Sequence, residues 1–272
     1  MKIVKGVFCM NNRKLISINS RIIRALDDVI MSKHERNILM EKCAFTLAEV
    51  LITLGVIGIV AALTLPNVIN NYKKHKTINR LKSTYSTLNN ALEMAKNDYA
   101  TDMNEWSIQG DNPKEKAGYF AETYLIPYLK IAINCKNNGT SKCNLRFKNL
   151  NSNEYVGTSS TNTAFALANG VFVSVYVSTS SVVENRVQLR LFLDGNKLTN
   201  INGKDVFIME LGGGTGSGTD KNKFWPYGYA RNLSCNSYIN GSSGNCKKDS
   251  TGDKCFALIF CENWQMTDKY PW

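Results

Sequence analysis

Residues 42–66 read KCAFTLAEVLITLGVIGIVAALTLP, an apolar run interrupted by one carboxylate, Glu49. The 21 residues from Phe45 to Leu65 would form a helix about 31 Å long, which is long enough to cross a bilayer. An ionised side chain inside such a segment costs about 2.5 kcal/mol or more near the bilayer centre, so Glu49 should have a partner. Cleavage between Ala44 and Phe45 would expose an α-amino group on Phe45, and we expect that cation to pair with Glu49 of a neighbouring subunit.

This stretch resembles the N-terminal cleavage and methylation segment of type IV prepilins and of type II secretion pseudopilins. The matching features are a basic and a small residue before the expected cut, the residues just after it, an acid four residues on and a later proline: Lys42, Ala44, Phe45–Leu47, Glu49 and Pro66. Two positions depart from the family pattern, because glycine is usual at Ala44 and a larger aliphatic residue is common at Ala48. The competing interpretation is an ordinary signal anchor or an uncleaved transmembrane helix.

The resemblance implies a processed filament subunit. A prepilin peptidase would cut after Ala44 and methylate the new amine of Phe45, and Glu49 would set the register of the incoming subunit. The implied partners are other pilin or pseudopilin subunits and an inner-membrane assembly platform. A type II secretion pseudopilin, a type IV pilin and a competence pilin for DNA uptake all remain open, and the non-polymerising alternative is a signal-anchored extracytoplasmic binding protein.

Residues 1–44 form a basic leader, with nine Lys or Arg against four Asp or Glu. Such a flank before a first span predicts that the leader stays in the cytoplasm and that the following part crosses the inner membrane. The leader lacks the apolar core of a secretory signal and is excluded from the fold. Met31 and Met40 are alternative start sites. We expect the protein to span the inner membrane once with its head outside. It would then enter a periplasmic or extracellular filament.

The helix is predicted to continue beyond the membrane segment (45–66) as an amphipathic helix over residues 67–100. Its apolar stripe has intervals of three and four and consists of Ile78, Leu81, Tyr85, Leu88, Leu92, Ala95 and Tyr99. Lys82, Asn89, Asn90 and Lys96 fall on its other faces. Pro66 removes one backbone hydrogen bond, so a kink or a local break is expected there.

The remaining residues, 101–272, are predicted to form an extracytoplasmic head. Asp111–Pro113 marks a helix start, and a helix over 117–129 should break at Pro127. From residue 163 the period changes to two, with strands predicted over 163–168, 171–177, 186–193 and 205–211, the first two joined by an Asn169-Gly170 turn. The sequence therefore predicts a pilin-like α+β fold, in which a long helix packs on an antiparallel sheet (about 163–211) and a disulfide-rich cap (about 224–272) follows.

Six cysteines fall outside the leader: Cys135, Cys143, Cys235, Cys246, Cys255 and Cys261. An even number in an exported domain predicts disulfides. Six cysteines allow 15 connectivities, and pairing each cysteine with its neighbour in sequence is the simplest hypothesis. Zinc is disfavoured, because the spacings are not of the paired C-x2-C kind and no histidine accompanies them.

A loop rich in oxygen-bearing side chains suggests a cation site. Asp194, Asn196, Asn202 and Asp205 lie near glycine turns, and Ca²⁺ takes six to eight oxygen ligands. The loop also resembles one found before a late strand in some pseudopilins. Ordinary turn chemistry explains the same residues. Calcium is thus the one candidate cofactor, and the alternative is none.

Catalysis and nucleic-acid binding have little support in the sequence. The two histidines are His34 in the leader and His75 in the membrane-proximal helix, so the head offers none to a catalytic triad. Subtracting the leader's +5 from the chain's +11 leaves a mature net charge of +6. The densest basic group is Lys73, Lys74, Lys76, Arg80 and Lys82, and a solvated helix face explains it. We therefore expect neither an enzyme nor a nucleic-acid-binding protein.

Overall fold

The computed structural model describes residues 46–100, 102–135, 143–158, 163–178, 186–212, 218–241 and 245–272. The chain divides into two compact units, Met1–Thr64 and Leu65–Trp272. The leader, Ala44 and Phe45 lie outside the described residues.

The first helix, α1 (Leu47–Asp98), contains 52 residues and continues through Pro66. The sequence predicted this helix within two residues at each end, and the local break expected at Pro66 is absent. Every described residue from 46 to 73 is exposed, and the first buried residue is Ile78. The helix therefore has an uncovered first half and a second half that packs on the head.

The buried face of α1 matches the predicted stripe from Ile78 to Ala95. Tyr99 is an exception, because it lies just beyond the helix end and is 54% exposed. The prediction for Asn89 was wrong in the opposite sense, because the residue was expected on the polar face of α1 and is buried. Its side-chain Nδ2 donates to the Phe224 carbonyl at 3.3 Å, and its Oδ1 accepts from the Phe224 N–H at 3.0 Å. Asn89 thereby acts as a strand partner for the backbone of Phe224.

The second helix, α2 (Pro113–Phe120), begins at the predicted start. Asn112 caps it, because its Oδ1 accepts from the backbone N–H of Lys114 at 3.1 Å and of Glu115 at 3.0 Å. The continuation predicted to residue 129 is not a regular α-helix: a π-turn over Ala121–Leu125 and a 3₁₀ turn over Ile126–Tyr128 follow. The proline at position 127 fits this change, since it cannot donate a helical hydrogen bond.

The described chain forms β1 (Ile131–Cys135), β2 (Arg146–Lys148), β3 (Tyr155–Gly157), β4 (Thr163–Leu167), β5 (Phe172–Val177), β6 (Val187–Phe192), β7 (Val206–Leu211) and β8 (Phe224–Pro226). The main sheet has six of these strands in the order β1-β4-β5-β6-β7-β8, and every neighbouring pair is antiparallel. A separate two-stranded sheet pairs β2 with β3.

The four predicted strands correspond to β4 to β7, and the turn between β4 and β5 is the predicted Asn169-Gly170, with Gly170 at φ +81°. The two edge strands, β1 and β8, were missed. Both are short, and β8 contains a proline, which removes the backbone donor that a central strand needs. The predicted sheet was therefore correct at its centre and too narrow at both edges.

The core lies between the sheet and the helices. It joins Leu81 and Leu88 of α1, Phe120 of α2, Leu189 of β6 and Phe256 of the last helix. That last helix, α4 (Cys255–Cys261), and a short helix, α3 (Ser237–Asn240), belong to the C-terminal cap. The fold is thus α+β, as predicted.

Three disulfides connect all six head cysteines: Cys135–Cys143, Cys235–Cys261 and Cys246–Cys255. The first pairing was predicted, whereas Cys235–Cys246 and Cys255–Cys261 were wrong. Cys255 and Cys261 stand at opposite ends of α4. Six helical steps separate them by about 9 Å along the axis, beyond the roughly 7 Å limit for Cα atoms joined by a disulfide. The helix therefore keeps Cys255 and Cys261 too far apart to pair, and each bonds to a cysteine outside the helix.

Aromatic side chains join the cap to α1. The ring centroids of Trp264 and Tyr85 lie 5.5 Å apart, and those of Phe256 and Tyr85 lie 5.8 Å apart. Burial raises the pKa of Tyr85 to about 12. Asn263 and Trp264 adopt left-handed φ values of 54° and 62°, so the chain reverses just after α4 and brings the indole towards the helix.

Candidate functional site

The apolar half of α1 is uncovered in the described chain. Leu47, Leu54 and Leu63 are 77%, 60% and 73% exposed. Among the described residues, α1 is the helix that is long and apolar enough to cross a membrane, a test that a signal sequence also passes. The segment therefore presents apolar surface along its length that the described chain leaves uncovered.

Glu49 lies in the first turn of α1 and takes part in a capping box with Thr46. Its Oε2 accepts from the Thr46 backbone N–H at 2.9 Å and from the Thr46 hydroxyl at 2.8 Å. The Glu49 N–H in turn donates to the Thr46 hydroxyl oxygen at 3.2 Å. The sequence analysis overlooked this Thr-x-x-Glu signal, which gives the carboxylate a local partner.

The expected partner of Glu49 lies outside the described residues, as do both sides of the expected cleavage site, Ala44 and Phe45. Within the described chain, no hydrogen bond reaches Oε1 of Glu49. The capping box therefore occupies one carboxylate oxygen and leaves the other available.

The candidate calcium residues are only partly brought together. Asp194 follows β6, and its Oδ1 lies 3.0 Å from Nη1 of Arg80 on α1. Its Oδ2 lies 3.5 Å from Nζ of Lys197. Both carboxylate oxygens thus already face cations, and a metal ion would have to displace them.

The other three candidates have different surroundings. Burial, followed by the negative charge of Asp194, raises the pKa of the Asp205 carboxyl above its usual value. The buried Asn202 donates from its Nδ2 to Asp253 Oδ1 at 2.7 Å and to the Thr251 carbonyl at 3.0 Å. Asn196 is half-buried in the turn after Asp194. In the described part of the chain, no group of three or more His, Cys, Asp or Glu side chains is arranged to hold a metal.

An ion pair between a buried carboxylate and a partly exposed arginine was missed by the sequence analysis. Glu210 of β7 is fully buried, and its Oε2 accepts from Nε of Arg186 at 2.9 Å while its Oε1 accepts from the Gly228 N–H at 2.8 Å. Arg186 immediately precedes β6, and its guanidinium carbon lies 5.4 Å from the centre of the Tyr227 ring. The pair satisfies a buried carboxylate and belongs to the framework of the head.

These features define a class: an α+β protein with an uncovered apolar N-terminal helix and a C-terminal cap held by disulfides. The chain belongs to the family of unknown function DUF6613, which residues 67–272 match. The matched range begins one residue after Pro66 and covers the amphipathic half of α1 and the whole head. No curated protein and no solved structure matches the chain.

Proposed function

We propose that this protein is a structural subunit of a type IV pilin-like or type II secretion pseudopilus filament. It is held in the inner membrane by the apolar half of α1 before assembly, with its head outside. The observation that carries this proposal is the division of one continuous helix into an uncovered apolar half and a half buried in the head. Six paired cysteines support export of the head, since structural disulfides persist in oxidising compartments.

The uncovered half needs a partner. Soluble monomers rarely expose contiguous apolar patches larger than a few hundred Å², and here the exposed surface extends along α1 from Leu47 to Ile69. A bilayer covers this surface before assembly, and neighbouring copies of the same segment cover it in a filament core. A filament core also accounts for Glu49, because an amine of a neighbouring subunit could meet its carboxylate there.

Glu49 is proposed to align the incoming subunit. Processing after Ala44 gives Phe45 a cationic amine, which would approach the available Oε1 of Glu49 in a neighbour while Thr46 holds Oε2. A buried pair of this kind adds little net stability. It fixes the axial position of the incoming subunit, because a subunit out of register would leave a buried charge unpaired at a cost of about 3–5 kcal/mol.

Processing is tested on the mature protein from its native host. We expect its first residue to be Phe45 and to carry an N-methyl group, as shown by mass spectrometry of the N-terminal peptide. A mature chain that retains Met1, Met31 or Met40 would refute the filament proposal.

The role of Glu49 is tested with two variants. Glu49→Ala removes both the charge and the cap, whereas Glu49→Gln keeps an acceptor for Thr46 and removes only the charge. We expect both variants to insert into the membrane and neither to assemble, as measured by the amount of sheared filament. Thr53→Ala is the matched control, since Thr53 lies one helical turn after Glu49 and, among the described residues, its hydroxyl donates to the Val50 carbonyl at 3.0 Å. Normal filaments from Glu49→Gln would exclude the proposed ion pair.

The capping box itself favours a second candidate, a signal-anchored extracytoplasmic binding protein that does not polymerise. In that case the hydrogen bonds from Thr46 to Glu49 satisfy the carboxylate within its own chain. This candidate predicts an unprocessed N-terminus and a monomer after crosslinking in the intact membrane.

A further inference from the structure

We propose that the cationic stem of α1, defined as residues 66–77, binds anionic phospholipid headgroups through Lys73, Lys74 and Lys76. This inference rests on the membrane-anchored state of the proposed function and does not require a filament. It assigns a partner to a surface for which the fold and the assembly proposal provide none.

The stem stands between the apolar segment and the covered part of α1. The continuous run of exposed aliphatic side chains ends with Val68 and Ile69, which are 61% and 42% exposed, and the first buried residue is Ile78. Tyr72 is 67% exposed at the point where the apolar surface gives way to lysines. A tyrosine in this position is typical of the membrane–water interface, where its ring meets the headgroups.

The charge of this part of the helix is of one sign. Residues 50–92 contain no Asp or Glu, and their five cations are Lys73, Lys74, Lys76, Arg80 and Lys82. Two of these contact the head: Arg80 pairs with Asp194 at 3.0 Å, and Nζ of Lys82 lies 5.9 Å from the centre of the Trp264 ring.

The three lysines of the stem differ from these two cations. Among the described residues, none of the three forms an ion pair or a hydrogen bond, and each is exposed or half-exposed. The structure thus separates the five basic residues into two that contact the head and three that have no partner among the described residues.

The helix geometry places these three amines near a membrane surface. Lys73 follows Ile69 by four residues, or about 6 Å along the axis, and the headgroup region is about 5–8 Å deep on each side of the bilayer. Side chains on a helix tilt towards its N-terminus, and lysine extends to reach the interface. At 100° per residue the three lysines cover an arc of about 160°, so several headgroups can be contacted at once.

Lipid is favoured over a nucleic acid or an acidic protein face by continuity with the apolar segment. The stem follows that segment directly on the same helix, so headgroups are the first anions that it meets. Each cation near an anionic surface contributes about 1 kcal/mol of attraction, which makes three adjacent lysines a selective site.

The test uses the full chain reconstituted in vesicles that contain phosphatidylcholine and phosphatidylglycerol. Electron paramagnetic resonance with each lipid spin-labelled in turn measures which headgroup the protein immobilises. We expect wild-type protein to select phosphatidylglycerol, and added salt to weaken that preference. In a variant that combines Lys73→Gln, Lys74→Gln and Lys76→Gln, the preference should fall at least about fivefold, the factor that one surface cation contributes.

The matched control combines Lys221→Gln, Lys248→Gln and Lys269→Gln, which removes the same charge from exposed positions of the head and should leave the preference intact. An equal loss in the control would show a general charge effect and overturn the proposal. So would wild-type protein that inserts without any preference for phosphatidylglycerol. A stem variant that kept the preference for phosphatidylglycerol but blocked filament formation would show that the lysines serve a subunit contact, and it would overturn the proposal. A mature chain that keeps an unprocessed N-terminus would refute the filament role and leave the lipid result standing.

Discussion

The two halves of α1 are made by the same backbone and differ in what covers them. Leu54, in the first half, is 60% exposed, whereas Leu88, in the second, is fully buried against the sheet and the cap. The first half is apolar on all sides, and the second carries an apolar stripe with polar residues opposite. A uniform apolar surface needs a uniform surrounding, such as lipid or a bundle of like helices, while a stripe needs one partner on one side.

This difference shows which surface packs against each half of α1. The partner of the second half lies within the chain, so packing inside the head accounts for it. The partner of the first half lies outside the chain, and its one carboxylate meets only its own capping threonine within the described residues. The stem between the halves carries lysines that are explained neither by packing on the head nor by an apolar environment.

The largest expected effect contrasts one leucine from each half. Leu88→Ala removes a fully buried side chain and leaves a cavity, so the free energy of unfolding of the head should fall by about 2–5 kcal/mol. Leu54→Ala should leave that free energy unchanged, because it removes surface that the head does not cover. Both variants are compared with wild type by denaturant unfolding of the full chain in detergent micelles, with tryptophan fluorescence as the probe. Equal losses in the two variants would mean that the halves are not energetically distinct.

Much of this division could be predicted from sequence. The apolar run fixed the first half, and the three-four spacing from Ile78 to Ala95 fixed the buried face of the second. The period of two and the Asn169-Gly170 turn likewise located the central hairpin. These features are local, since each depends on residues only a few positions apart, and local patterns are what one sequence records.

Contacts between distant residues could not be predicted in the same way. The pairing of Cys235 with Cys261 spans 26 positions and depends on α4, which keeps Cys255 from its neighbour in sequence. The Thr46–Glu49 capping box, by contrast, is local, and its Thr-x-x-Glu spacing is visible in the sequence. Whether Glu49 also meets Phe45 of another chain is a property of an assembly, which one sequence does not encode directly.

A second prediction concerns Asn89, which resembles a surface residue in sequence and holds an edge strand in the structure. Asn89→Ala leaves the buried N–H and carbonyl of Phe224 without their side-chain partner, at a cost of about 1–3 kcal/mol for an unsatisfied group. Asn90→Ala is the control, because Asn90 is exposed on the same helix and should change stability by less than about 0.5 kcal/mol. Denaturant midpoints that fall equally in both would show that Asn89 does not hold β8.

The smallest expected effect locates the boundary between the stem and the head. Arg80 donates to Asp194 at 3.0 Å and to the Asn169 carbonyl at 3.2 Å, so it attaches α1 to the turns that follow β4 and β6. Both charged groups are partly exposed, and Arg80→Gln should lower the free energy of unfolding by no more than about 1 kcal/mol. Lys76→Gln, one helical turn earlier, has no such contact within the described chain and should leave stability unchanged. If Lys76→Gln instead destabilised the head as much as Arg80→Gln, the head would extend into the stem, and the lysines proposed to bind lipid would already have a partner.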